Sequence, residues 1–230
     1  MHFLDRAEGG RFLAGHLNHL RGRPDLLVLA LPRGGVPVGF EIARALHAPL
    51  DVFIVRKLGV PGQEELAIGA IASGDVQVLN PNVVAALGSE AEATIEEVAA
   101  REREELLRRE RQYRVGRPPL ALKGKAVVLV DDGLATGATM RAAARAVRQW
   151  QPTRLIIAVP VGSATSCSEM QSEADEVICA LQPEPFFGVG QSYADFRQVT
   201  DEEACTLLER LTLARKPGQT TTSAGRDSEG

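Results

Sequence analysis

The chain has 230 residues, 44% of them hydrophobic and 24% charged, a balance expected of a soluble globular protein rather than a disordered or membrane one. Its 30 acidic and 26 basic residues give a formal charge of −4, so the surface as a whole has no electrostatic pull towards nucleic acid. Three cysteines, Cys167, Cys179 and Cys205, show no CxxC spacing, and no run of ~18 apolar residues occurs; a cytoplasmic protein with reduced thiols and neither membrane nor nucleic-acid partners is expected.

Residues 5–21 read as an N-terminal helix with Phe12, Leu13, Leu17 and Leu20 on one side. His16 and His19 lie close together on it, but further metal ligands are lacking, which favours surface or packing roles. Five short apolar runs follow along the chain: Leu26–Leu31, Val52–Val55, Ala126–Val130, Leu155–Val159 and Glu176–Ala180. Each is strand-length and bounded by Pro, Gly, Asp or charged residues. Pro37–Leu46, Ala138–Trp150 and Ala164–Ala174 alternate with them and have helical composition. That alternation predicts an α/β fold, a doubly wound, mainly parallel five-stranded sheet flanked by helices. Leu66–Ser73 and Val76–Leu79 suggest an antiparallel excursion between the second and third core strands.

Glu90–Arg114 is predicted as a long surface helix. Glu97 and Arg101, Glu104 and Arg108, Glu105 and Arg109, and Glu110 and Arg114 all stand at the stabilising i, i+4 spacing with Glu first. A thin stripe of Ile95, Val98, Ala99, Leu106 and Tyr113 docks it. A last helix is expected over Asp201–Ala214, capped by Thr200 or Asp201, followed by a disordered tail over 215–230.

The chemistry concentrates after the third core strand, in Asp131-Asp-Gly-Leu-Ala-Thr-Gly-Ala-Thr139. Ligands of open α/β sheets bind beyond the carboxyl ends of the strands, where Asp131 and Asp132 fall. Two carboxylates there suit a vicinal diol or a hydrated Mg²⁺. Gly133, Ala135, Thr136, Gly137, Ala138 and Thr139 then lead into a helix N-terminus, whose unpaired N–H groups and dipole favour a phosphate. A diol beside a phosphate is a ribose 5-phosphate. A P-loop would need a Lys after Gly137, and Gly188-Val-Gly-Gln-Ser-Tyr193 lacks the third glycine of a dinucleotide fingerprint. After the first strand, Arg33 with Gly34 and Gly35 forms a second candidate anion loop.

The 131–139 segment resembles the signature of type I phosphoribosyltransferases, which bind 5-phosphoribosyl-1-pyrophosphate (PRPP). The resemblance implies that Asp131 and Asp132 hold the ribose hydroxyls, with Mg²⁺ nearby through ribose or water rather than directly ligated. It implies that the loop binds the 5-phosphate, and that Arg33, Gly34 and Gly35 form the pyrophosphate loop. A mobile basic segment is implied at Arg56–Glu65, with Lys57 and Arg56 as candidates; Lys57 and Arg33 are the expected catalytic residues. Ala135 stands where the 6-oxopurine branch carries its base, which disfavours that branch. Together with Arg56-Lys-Leu-Gly59 and Val199-Thr-Asp-Glu-Glu203, the pattern looks most like bacterial predicted phosphoribosyltransferases whose acceptor is unassigned.

On this resemblance residues 1–214 form one domain, with a core at about 25–180 and a small hood subdomain from 1–24 and 181–214. The hood is expected to hold the acceptor through Phe187, Tyr193 and Asp195, with Phe186 and Phe196 nearby. The implied activity is a Mg²⁺-dependent transfer from PRPP to a nitrogenous acceptor, releasing pyrophosphate; a homodimer is compatible with it. The alternative is a PRPP or nucleotide sensor on the same fold that catalyses nothing.

Overall fold

A computed structural model describes residues 2–214; the tail expected at 215–230 lies outside the described residues. In chain order the elements are α1 (Arg6–His16), β1 (Leu26–Ala30), α2 (Gly35–Leu46), β2 (Leu50–Val52), β3 (Val55–Val60), β4 (Gln63–Ala72), β5 (Val76–Leu79), α3 (Pro81–Leu87), α4 (Ala91–Tyr113), β6 (Ala126–Val130), α5 (Ala138–Gln149), β7 (Arg154–Val161), α6 (Ala164–Met170), β8 (Glu176–Leu181) and α7 (Asp201–Ala214).

Five strands form a parallel sheet in the order β2-β1-β6-β7-β8. Its centre reads as unbroken apolar sequence because both faces are covered. Val128 and Val130 of β6 pack into the layer of α1, α2 and α7, with Leu13, Ile42 and Leu208. Val127 and Leu129 point the other way, against Met140, Ala143 and Val147 of α5. Every residue of β6 is buried, and each Val or Leu so placed contributes about 1.5–3 kcal/mol. The strand that ends in the acid pair is therefore firmly anchored in the sheet.

The run Val52–Val55 is not one strand. The core strand is β2, ending at Val52, and Val55 opens β3 in a separate antiparallel sheet, β3-β4-β5. Between them Phe53 and Ile54 are both buried, but in opposite core clusters, so the chain turns without losing apolar character. The excursion anticipated at 66–79 is this sheet, and it begins earlier than expected. Arg56–Glu65 is accordingly a hairpin rather than a loop, with Pro61-Gly62 as its turn and Gly62 at φ +79°.

The N-terminal helix is shorter than 5–21. Asp5 caps it by accepting from Glu8 N at 2.7 Å, and after His16 the chain tightens into a 3₁₀ turn, Asn18–Leu20, that keeps Leu17 and Leu20 buried. The helix expected at 164–174 ends at Met170. On α4 the stripe of Val98, Ala99, Leu106 and Tyr113 is buried as expected. Its ion pairs are partly re-routed. Glu105 takes both Arg108 (2.6 Å) and Arg109 (2.7 Å), while Arg114 leaves Glu110 for Asp51 at 3.1 Å and Arg101 lies 3.5 Å from Glu102. Bonds to a folded-in partner displace helix-surface pairs of small individual worth. Thr200 and Glu203 form a reciprocal capping box before α7. No helix among the described residues is long and apolar enough to cross a membrane.

Candidate active site

The crossover directions reverse between β1 and β6. From β1 the chain runs through α2 to β2 on one side, whereas β6 continues through α5 to β7 and through α6 to β8 on the other. Such a reversal opens a crevice at the strand ends. Ala30 pairs with Val130 at the last rung, and Leu31 N donates to Val130 O at 2.8 Å, so the two following loops leave the sheet side by side.

The first loop is Leu31-Pro-Arg-Gly-Gly35, with a cis peptide between Pro32 and Arg33. A Cβ on Gly34 would lie 2.2 Å from Asp132 Oδ2. The absence of a side chain there is what lets the two loops touch.

Asp132 is held from three sides. Arg6 Nε donates to its Oδ2 at 2.8 Å, and both side chains are largely buried. Arg6 in turn donates through Nη1 to Arg197 O at 2.8 Å, and its guanidinium lies 4.0 Å from the centroid of the Phe196 ring. Tyr193 Oη donates to the Asp132 backbone carbonyl at 2.7 Å. Asp131 accepts from Asp132 N at 2.8 Å. Burial, and then the neighbouring Asp132 charge, push the Asp131 pKa well above the usual carboxylate range; Arg6 opposes this without cancelling it. The pair is thus unequal, one carboxylate fixed by a guanidinium and the other short of counter-charge.

The rest of the second loop is pinned from below. Leu134 N donates to Val161 O at 2.9 Å, Ser163 N to Leu134 O at 3.0 Å, and Ser166 Oγ to Ala135 O at 2.6 Å. Gly137, at φ +71°, then turns the chain into α5. Thr136, Ala138 and Thr139 are left exposed at the helix N-terminus, with Gly137 buried among them. Exposed hydroxyls at the N-terminus of a twelve-residue helix are a setting that favours an anion, although Ala138 N already donates to Thr136 Oγ1 at 3.4 Å.

The basic candidates separate. Arg33 is 3.8 Å from Asp201 Oδ1, whose carboxyl also accepts from Tyr113 Oη and is lowered in pKa chiefly by that bond. Arg56 is engaged by Glu102 of α4 at 2.9 Å, whereas Lys57 stands on the exposed side of β3. Among the acceptor candidates, Phe187 is 85% exposed. The Tyr193 ring is buried, stacked on Phe196 at 5.2 Å and tilted against Phe3 at 5.8 Å, so its faces are already occupied. Asp195 borders a cavity of about 450 Å³ with Arg6, Pro37, Arg197, Val199 and Leu207. His16 binds Phe12 O at 3.2 Å and His19 lies 3.2 Å from Glu176; among the described residues no group of three or more His, Cys, Asp or Glu is placed to hold a metal.

Arg6 and the Tyr193 hydroxyl are the site residues that sequence reasoning missed. One weak signal existed: a basic side chain in the first turn of a helix opposes the helix dipole, so Arg6 there called for another partner.

Comparison with known proteins bears on this geometry. The family model described as phosphoribosyl transferase domain matches residues 4–195, spanning both loops, the acid pair and Arg6. The chain belongs to the phosphoribosyltransferase domain family. Two Mycobacterium tuberculosis proteins, from strains CDC 1551 and H37Rv and each named "Putative phosphoribosyl transferase", are 46% identical over 208 residues, 90% of this chain. The chain spans 46% of the length of these curated relatives. The crystal structure of TT1426 from Thermus thermophilus is 44% identical, superimposes with a TM-score of 0.82, and covers 92% of this chain and 99% of its own. The parallel sheet and its flanking helices are thus a type I phosphoribosyltransferase fold, as the 131–139 segment led one to expect.

Proposed function

We propose that this phosphoribosyltransferase-family chain moves a 5-phosphoribosyl group from PRPP to a nitrogenous acceptor and releases pyrophosphate. The observation that carries the reading is the contact of the two loops at Asp132. Asp131 and Asp132 stand between an anion seat at 136–139 and the Arg33-Gly34-Gly35 loop, which is the order of groups along PRPP: 5-phosphate, ribose hydroxyls, pyrophosphate.

In this reading Asp131 and Asp132 accept from the ribose 2- and 3-hydroxyls, and the 133–139 loop fixes the 5-phosphate through Thr136, Gly137, Ala138 and Thr139. Gly34, Gly35 and Arg33 receive the pyrophosphate, with Lys57 closing from the β3 hairpin. Breaking the anomeric C–O bond leaves a cation-like ribosyl group, so these residues act by positioning, by neutralising the departing charge and by excluding water. Asp131 and Asp132 do not make a Mg²⁺ site by themselves and would hold the ion through ribose and water. Arg6 already takes Oδ2 of Asp132, and the cation prefers six oxygens, so ribose and water would complete the shell. Bound there, Mg²⁺ would supply charge neutralisation for the pyrophosphate. Phe187 and Asp195 are the acceptor-side residues, and Tyr193 supports Asp132 instead of stacking on a base.

The test is incubation with PRPP, Mg²⁺ and a panel of bases, following pyrophosphate release and nucleotide formation. Acceptor-dependent release is expected. PRPP binding without turnover of any acceptor, with Lys57→Ala leaving that binding unchanged, would replace the transferase by a sensor.

A further inference from the structure

Two thiols that the site does not use lie together beneath it. Cys167 is in the first turn of α6 and Cys179 is on β8. Their sulfurs flank Gly162, where a Cβ would stand 2.7 Å from Cys167 Sγ and 3.0 Å from Cys179 Sγ. Cys179 Sγ donates to Leu181 O at 3.4 Å. A cavity of about 300 Å³, bordered by Ala164, Cys167, Ser168, Cys179 and Gln182, opens on the pair. It is large enough for a small oxidant.

We propose that Cys167 and Cys179 are a dithiol modification site, oxidised by a hydroperoxide to a disulfide that loosens the 133–139 loop. Both sulfurs border the cavity, and Cys167, in the first turn of α6, is taken as the attacking one. Its thiolate displaces hydroxide from hydrogen peroxide and becomes a sulfenic acid. Cys179 sulfur then attacks the sulfenic sulfur; the S–S bond forms and hydroxide leaves, taking the thiol proton as water. Two thiols are oxidised and one peroxide is reduced to two waters.

The coupling to the loop is short. Ser163 and Ser166, in the same turn as Cys167, hold the loop through Ser163 N to Leu134 O at 3.0 Å and Ser166 Oγ to Ala135 O at 2.6 Å. Drawing Cys167 towards β8 moves that turn. This second half rests on the proposed function, because it takes the 133–139 loop to be the 5-phosphate seat.

The full chain is treated with hydrogen peroxide, denatured, its free thiols counted and its peptides mapped, while PRPP–Mg²⁺ binding is titrated calorimetrically before and after. Of the three thiols, only Cys205 on α7 is expected to remain, with a peptide linking Cys167 to Cys179. PRPP affinity is expected to fall about tenfold and to return with dithiothreitol. Cys167→Ala is expected to keep both remaining thiols and full affinity, whereas Cys179→Ser is expected to stop at a Cys167 sulfenic acid that dimedone traps, with no disulfide and full affinity. Survival of all three thiols at doses that exhaust a glutathione standard, or a link that uses Cys205, overturns the dithiol. A Cys167–Cys179 disulfide that leaves affinity unchanged overturns the coupling. Failure of the reduced chain to bind PRPP at all counts against the proposed function and the coupling, and leaves the thiol count to decide the dithiol.

Discussion

Arg6 Nε lies 2.8 Å from Asp132 Oδ2, across 126 residues of sequence. This pair ties α1 to the end of β6, and the other contacts of Arg6, to Arg197 O and Phe196, bring in the segment that precedes α7. Removing one partner leaves the other charge uncompensated in a nearly closed site, so Arg6→Met is expected to cost about 3 kcal/mol. Urea unfolding measures it. Adding Asp132→Asn should recover part of the loss, and strictly additive effects in the double variant would show that the pair is not coupled.

Gly34→Ala tests the contact between the loops. The new methyl would meet Asp132 Oδ2 at 2.2 Å, and Arg6 holds that carboxylate in place. The expected cost is about 1–3 kcal/mol in stability. PRPP affinity, read by calorimetry, should fall by at least about tenfold.

Asp131 gives a pH dependence with a definite sign. Its folded pKa is raised, so its contribution is most favourable below the unfolded pKa and is lost as pH rises through the folded value. Asp131→Asn removes that loss while keeping an oxygen for Asp132 N. In the ligand-free chain the variant should unfold at higher urea than the parent near about pH 7, with the advantage vanishing near about pH 3. A constant difference across that range would contradict the burial of this charge. The same substitution combined with Asp132→Asn is expected to abolish PRPP binding without unfolding the chain.

Lys57 and Arg56 should separate in the way their surroundings do. Lys57→Ala, on an exposed strand face, is expected to cost no more than about 1 kcal/mol in stability and to lower turnover about 100-fold. Arg56→Ala breaks the ion pair to Glu102 and should cost about 1 kcal/mol, with a smaller effect on turnover. Unfolding curves and initial rates on the same preparations distinguish the two.

The geometry proposed for the donor side was legible in the sequence because its determinants are local. A wholly apolar strand, two acids and a small-residue turn into a helix stand within Val127–Thr139, and nothing distant is needed to read them. The partner of Arg6 was not legible, since no spacing rule links the first turn of α1 to the end of β6. The break at Phe53 and Ile54 escaped for the opposite reason: both residues are buried, so hydrophobicity does not change where the chain passes from one sheet to the other. The ion pairs of α4 were read as local, and Asp51 took Arg114 from outside the helix.

The pairing of β1 with β6, Leu26 opposite Ala126 through Ala30 opposite Val130, has a thermodynamic consequence. The whole excursion of β3 to β5, α3 and α4 lies between these two strands in the chain, so the proposed PRPP site is a seam between an early and a late half of the polypeptide. A ligand gripping both loops cannot be retained by either half alone. Its binding free energy therefore stabilises the assembled sheet as a unit, and saturating ligand should protect the amides of β1 and β6 from exchange to the same extent.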